Sequence, residues 1–273
     1  MSRDIAPVLT IAGSDTSGGA GIQADLKTFL ACGVYGMSAI TALTAQNTQG
    51  VRATAEVTPE FLAAEIDAVF TDIPPRAVKI GMTSSRALIE TIAAKLQEYQ
   101  AAHVVVDPVM VATSGAPLLA ADAMETLAER LLPLAEVVTP NIPELTRLTG
   151  IGILDEDSFC AAAAQAARAY GTAVLAKGGH FEGREAHDVL ALPDGTLRHF
   201  RAPRSSNRNT HGTGCTLSSA IAANLAKGYD LDTAVRRAKD YLSGALAAML
   251  DLGAGSGPMD HAFDLKPEYR QEA

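Results

Sequence analysis

The segment Val104-Val105-Val106-Asp107-Pro108 is an uninterrupted β-branched run that stops at a carboxylate and a proline. Alternating polar and apolar residues mark a strand with one wet face. Three valines in succession instead predict a strand covered on both faces, as in a parallel sheet. Strand-like and helix-like segments alternate on either side of it. Val8 to Ala12 is a short apolar run ending in Gly13-Ser14-Asp15, followed by a helical stretch from about Ala20 to Ala31 that stops at Gly33. Met37 to Ala45 alternates with Thr and Ser and predicts one further strand. Thr58-Pro59 has a capping hydroxyl before a proline, the start of a helix with Leu62, Ile66 and Val69 on one face. Ala77 to Ile80 reads as a strand and Ser84 to Gln97 as a helix.

Beyond the valine run the pattern continues. Glu136 to Val138 predicts a strand, with a helix from Pro140-Asn141 through Leu148. Asp155 to Tyr170 is helical, and Ala173 to Ala176 is a strand ending at Lys177-Gly178-Gly179-His180. Asp188 to Leu192 and Leu197 to Arg201 flank Pro193-Asp194-Gly195 and predict an antiparallel hairpin at one end of the sheet. Helices over about Gly214 to Ala226 and Leu231 to Leu250 close the domain. This alternation predicts one three-layer α/β/α domain over residues 1–273 with a mainly parallel central sheet. Its packed core spans about residues 7–250, and the tail over 253–273 is expected to be poorly packed.

The composition agrees with that fold and excludes some functions. Hydrophobic residues make up 48% and aromatics only 5% with no Trp, so the core must be built from Ala, Val, Leu and Ile. The formal net charge is −9 from 22 basic and 31 acidic residues. No cationic surplus is available to neutralise a nucleic-acid backbone. Local donors suffice for a small anion such as ATP. Cys32, Cys160 and Cys215 are widely spaced and odd in number, which fits neither a zinc site nor a disulfide framework. Met1 to Pro7 shows no apolar stretch before a cleavage site, and no apolar run is long enough to span a bilayer. A cytoplasmic location without membrane attachment is expected.

In open α/β sheets, ligands bind beyond the carboxyl ends of the strands, and polar or Gly-rich sequences fall at those ends. Asn209-Thr210-His211-Gly212-Thr213-Gly214-Cys215-Thr216 precedes an apolar helix. Gly212 and Gly214 let successive N–H groups turn towards one anion, and the helix start adds free donors and a positive dipole end. An ordinary Gly-rich turn is the plainer reading. The sequence is not a Walker A motif. Cys215 falls in the first helical turn, where a thiol pKa can drop to about 3.5–7.5, so it could carry a thiolate near neutral pH. It could serve as a base, as a nucleophile with His211, or as an inert buried Cys. Asn141 and Glu144 share a helix face and suit magnesium, or simply cap the helix. Asp107, at the end of the valine strand, could hold magnesium, receive a proton or cap a turn. Lys177, flanked by glycines, could contact phosphates.

Two sequences point to the acceptor. Gly13-Ser14-Asp15-Thr16-Ser17-Gly18-Gly19-Ala20-Gly21 is a Gly-rich strand-to-helix connection whose spacing is not that of a dinucleotide fingerprint, and it suits close approach to a small flat ligand. Gln46 ends a strand, and its amide offers a donor beside an acceptor. That pair matches the edge of an aminopyrimidine, although a solvent-facing Gln is the simpler role.

Taken in order, Ala12 to Asp15, Ser17 to Asp25, Thr44 to Asn47, Lys79 to Met82, Asp107 to Met110, Thr139 to Asn141 with Glu144, and His211 to Cys215 resemble the hydroxymethylpyrimidine/phosphomethylpyrimidine kinases. The resemblance covers about residues 7 to 250. It implies the ribokinase-like fold and ATP-dependent phosphorylation of hydroxymethylpyrimidine and then of its monophosphate, for thiamine assembly. By matching position, Gln46 would read the pyrimidine in a pocket lined by Gly13, Ala20, Met82 and Val109. Asp107 and Glu144 would manage Mg2+, and Asn141 and Lys177 the nucleotide. Gly212, Thr213 and Gly214 would form the anion hole, with Cys215 in the base position. Similar sugar kinases carry Asp there, so Cys points to the vitamin-kinase branch. The resemblance also suggests a homodimer, with the adenine near Lys227 to Lys239. The alternatives are a pyridoxal kinase, a catalytically silent pyrimidine sensor, and a cysteine hydrolase using Cys215 and His211.

Overall fold

The computed structural model describes residues 4–111, 118–120, 122–179, 185–203, 207, 210–248 and 250–265. His180 and Asn209, both within the motifs above, lie outside these residues. In chain order the elements begin β1 (Pro7–Ala12), α1 (Gly21–Ala31), β2 (Tyr35–Ile40), β3 (Ala42–Asn47), β4 (Gly50–Glu56), α2 (Pro59–Asp72) and β5 (Ala77–Ile80). There follow α3 (Arg86–Glu98), β6 (Val104–Val106), the short α4 (Ala123–Thr126), β7 (Val137–Val138), α5 (Ile142–Thr149) and α6 (Glu156–Tyr170). The last are β8 (Ala173–Lys177), β9 (Glu185–Ala191), β10 (Leu197–Pro203), α7 (Thr213–Ala226) and α8 (Leu231–Ala247).

Eight strands form one sheet in the order β10-β9-β8-β7-β6-β5-β1-β2. The run from β8 to β2 is parallel, while β9 and β10 pair antiparallel at the far edge. That is the hairpin expected from Pro193-Asp194-Gly195. The valine strand shows why its sequence does not alternate. Val105 packs with α1, α7 and α8, whereas Val104 and Val106 face the layer containing α2 and α3. Helices α5 and α6 cover Val174, Ala176 and Val189 farther along. The result is the expected three-layer α/β/α arrangement.

Three sequence-based boundaries need correction. The alternating segment Met37 to Ala45 is two strands in two sheets. At Thr41, fully buried, the backbone N–H donates to the Ala12 carbonyl and the hydroxyl to the Met82 carbonyl. The chain then leaves β1, and β3 pairs with β4 in a separate two-stranded sheet whose register slips between Ala45 and Gln46. Alternation signals extended backbone but not its partner. Helix α3 starts at Arg86 rather than Ser84, because Ser84 has φ 52° in the left-handed region. Finally, the tail is packed before residue 266. Met259, Asp260 and His261 are buried. Tyr241 donates to the His261 carbonyl at 2.8 Å, and the Gly255 N–H donates to Thr48 Oγ1 at 3.2 Å. Short polar segments held by single hydrogen bonds carry no periodic signal.

Candidate active site

The carboxyl ends of β1, β5, β6, β7 and β8 open onto a cleft of about 960 Å³. Its lining includes every site residue expected from the sequence: Gly13, Ala20, Gln46, Met82, Val109, Asp107, Asn141, Glu144, Lys177 and Gly212 through Cys215.

The cleft wall that carries Gln46 is held by Asp15. Its carboxylate accepts from the backbone N–H groups of Ser17, Gly19 and Ala20 at 2.8–3.0 Å and from the Ser17 hydroxyl at 2.7 Å. His211 Nε2 lies 2.8 Å from Asp15 Oδ2 and 3.3 Å from Gln46 Nε2. Burial raises the Asp15 pKa, but the bonds from His211, Ser17 and Ala20 outweigh it and bring the carboxyl down to about 2. An ionised Asp15 takes the single hydrogen on His211 Nε2. The Gln46 amide nitrogen therefore keeps both its hydrogens for a ligand, while Thr44 donates to Gln46 Oε1 at 3.3 Å.

Gly212 has φ 83° and precedes α7 as its N-cap. A Cβ there would overlap the Gly19 carbonyl oxygen, so the two Gly-rich loops meet backbone to backbone. On the other side, a Cβ on Gly214 would stand 3.0 Å from Asp107 Oδ2 and 3.3 Å from Lys177 Nζ. The start of α7 thus lies between the Gln46 wall and the Lys177–Asp107 pair; Thr213 donates its N–H to the Thr210 carbonyl at 3.3 Å, and Gly214 and Cys215 follow it along the cleft.

Lys177 donates to Asp107 Oδ1 at 2.9 Å, and Thr139 donates to the same oxygen at 3.1 Å. Oδ2 is turned towards Gly214. The Asn141 N–H donates to Glu144 Oε2 at 2.8 Å, and the Glu144 N–H to Asn141 Oδ1 at 2.9 Å. This reciprocal capping box realises one of the two sequence readings, and it leaves the other intact because both side chains still line the cleft. Burial pushes the Glu144 carboxyl up to about 7, with Lys177 opposing and Asp107 adding. Two carboxylates and an amide oxygen are the hard donors Mg2+ prefers, and a cation beside them would relieve that repulsion.

Burial works against a thiolate at Cys215. Burial raises the Cys215 thiol to about 11, against the opposing pull of Lys79, and the Gly21 N–H is its hydrogen-bond donor. Desolvation is the largest influence, ahead of Lys79. Among the described residues His211 makes no hydrogen bond to Cys215, which removes the hydrolase pair.

Two buried pairs escaped the sequence reading. Lys79, fully buried on β5, donates to both oxygens of Asp25 at 2.8–2.9 Å, and Asp25 also accepts from Thr10 and Ser219. The signal was present: a lysine inside the apolar strand Ala77-Val78-Lys79-Ile80 requires a buried partner. Lys239 of α8 bonds Asp188 of β9, whose other oxygen accepts from the Gly178 N–H at 2.9 Å. Lys239 lines the cleft with Leu242, Ser243 and Leu246, whereas Lys227 donates to the Cys32 carbonyl and is not part of the lining. Of the segment from Lys227 to Lys239, expected near the adenine, Lys239 lines the cleft.

Residues 15–260 match the sequence profile of phosphomethylpyrimidine kinase. The chain belongs to that family. The hydroxymethylpyrimidine/phosphomethylpyrimidine kinase of Rhizobium meliloti (strain 1021) is 54% identical over 256 residues, covering 93% of this chain and 96% of the relative. The thiamine biosynthesis bifunctional protein ThiED of Geobacter sulfurreducens is 53% identical over 255 residues; the match covers 93% of this chain but only 52% of that protein. Among solved structures, the Staphylococcus aureus pyridoxal kinase in complex with AMP-PCP and pyridoxal superposes with a TM-score of 0.85 at 32% identity, covering 97% of this chain and 96% of that one. The architecture of this family member is thus ribokinase-like. No helix among its described residues is long and apolar enough to cross a membrane.

Proposed function

We propose that this phosphomethylpyrimidine kinase family member transfers a phosphoryl group from ATP to the alcohol of 4-amino-5-hydroxymethyl-2-methylpyrimidine, and then to the resulting monophosphate, for thiamine biosynthesis. The observation that carries the reading is the placement of the α7 start between Gln46 and the Lys177–Asp107 pair. An acceptor on the Gln46 side and a nucleotide on the Lys177 side would meet at that helix start. Gln46 presents its amide to the aminopyrimidine edge, with Gly13, Ala20, Met82 and Val109 around the ring. Gly212, Thr213 and Gly214 receive the transferring phosphoryl group. Lys177 and Asn141 hold the nucleotide phosphates.

Asp107 and Glu144 would hold Mg2+, which when bound neutralises charge on phosphate oxygens. Phosphoryl transfer has a loose transition state, so positioning and charge stabilisation outweigh a strong base. A neutral Cys215 thiol suits that chemistry: it orients the acceptor hydroxyl, whose proton leaves late to an oxygen of the transferred phosphoryl group. The protein is read as a cytoplasmic homodimer that binds neither nucleic acid nor membrane. The silent-sensor reading is disfavoured by the convergence of Asp107, Asn141, Glu144 and Lys177 on one cleft.

A second reading, vitamin B6 salvage, is kept open by the likeness to a pyridoxal-bound kinase. Mass spectrometry of products formed from hydroxymethylpyrimidine with Mg-ATP, beside a parallel pyridoxal reaction, separates the two. Mono- and diphosphate from the pyrimidine are expected. Phosphate on pyridoxal alone would move the chain to the B6 branch and remove the role given to Gln46.

A further inference from the structure

The edge hairpin carries a cluster that the kinase reaction does not use. His187 of β9 is registered opposite Arg201 of β10, so His199, two residues from Arg201, projects from the same face. Glu156, in the first turn of α6, stands over that face. His187 Nε2 and His199 Nδ1 are 2.9 Å apart, with the rings within 17° of parallel, and His187 Nδ1 is 3.5 Å from Glu156 Oε1. One donor atom from each of the three residues lies within 4.8 Å of the other two. No comparable trio of His, Cys, Asp or Glu occurs elsewhere among the described residues.

We propose that His187, His199 and Glu156 form a binding site for a borderline divalent transition-metal ion such as Zn2+, with water as the fourth ligand. Two neutral imidazoles and a carboxylate are the donors such ions prefer, and a three-protein-ligand tetrahedron is an ordinary zinc arrangement. Nitrogens 2.9 Å apart can both reach an ion at a bond length of about 2.0–2.1 Å once the exposed His199 ring turns away from the in-line hydrogen bond. Burial already favours the neutral form of His187, with Arg201 and His199 adding to that and Glu156 opposing. The hydrogen shared between the rings moves to the far nitrogen of whichever ring carries it, a change of tautomer without net proton release. Arg201, 3.0 Å from Glu156, shifts to Glu185, which it already approaches at 3.7 Å. The bound ion ties the sheet-edge hairpin to α6.

The test uses the full untagged chain, stripped of metal and titrated with Zn2+ in millimolar Mg2+ so that the cleft carboxylates are occupied. Isothermal titration and thermal unfolding are recorded for the wild type, for His199→Ala at an exposed strand position, and for His103→Ala as a control. The His103 side chain bonds Glu136, and among the described residues His103 belongs to no three-donor cluster. Loss of even an outer-shell partner costs roughly 10–100-fold in metal affinity, so His199→Ala should weaken Zn2+ binding at least about tenfold. Zn2+ should raise the unfolding temperature of the wild type and of His103→Ala but not of His199→Ala. No zinc binding by the wild type, or equal binding and equal thermal shift in His199→Ala, overturns the assignment.

Discussion

Cys215 shows how a single position can carry opposite signals in sequence and in space. The first turn of a helix attracts negative charge, and this one does line the cleft. Yet the sulfur sits where burial dominates, and its pKa goes up to about 11. The consequence is measurable at the level of one peptide. Iodoacetamide labelling of Cys215, followed by mass spectrometry across a pH series, should be slow at pH 7.5 and climb steeply only as pH approaches 11, because the thiolate is the reactive form. Fast labelling below pH 8 would show that the helix start prevails, and would restore a strong base to the reaction. Asp15 gives the reverse lesson. Five hydrogen bonds converge on a carboxylate that the sequence shows only as one member of a polar glycine-rich run.

At the scale of elements, α5 joins folding to chemistry. The capping box of Asn141 and Glu144 satisfies two backbone N–H groups, and Asn141→Ala should cost about 0.5–2 kcal/mol in a urea titration. Glu144 also makes stability depend on pH. Its folded pKa, raised to about 7, exceeds the reference value of 4.5, so the folded state holds the proton more tightly. That contribution is fully present below pH 4.5 and is lost as pH rises through 7. Glu144→Gln should therefore lose less stability than the wild type between pH 5 and pH 8; parallel curves would mean that Glu144 is ionised in the folded chain.

Which elements were legible follows from what each depends on. The α5 start, Thr58 before α2 and Asp155 before α6 are local devices written within four residues. Strands β6 and β8 announce their burial by composition. By contrast, β3 and β4 are fixed by Thr41, whose partners Ala12 and Met82 are remote in sequence. The irregular run after α4, with Pro133 in its last turn, has no period to read. The cleft residues were legible because they end strands; the pairs that brace them were not, since each joins distant segments.

The molecule as a whole is organised around one such brace. Lys79 and Asp25 join β5 to α1, and the Thr10 and Ser219 hydroxyls extend the contact to β1 and α7. Burial alone would lower the Lys79 pKa, but Asp25 outweighs it and holds the ammonium above the usual lysine range. Removing one partner strands a buried charge, so Lys79→Met should cost about 3–5 kcal/mol in chemical unfolding. The double variant with Asp25→Asn should recover part of that loss; an additive double would mean that the two groups act separately. Above this brace, the overlap that any Cβ on Gly212 would suffer with the Gly19 carbonyl has a kinetic meaning. Under the proposed function the two loops, in backbone contact, set the distance between acceptor and donor. A kinase that phosphorylates first an alcohol and then the longer phosphate it has made cannot stretch this distance. Under that function the pyrimidine must instead withdraw by one phosphate's length along the Gln46 side for the second transfer, so a looser grip on the ring is expected to speed the second step more than the first.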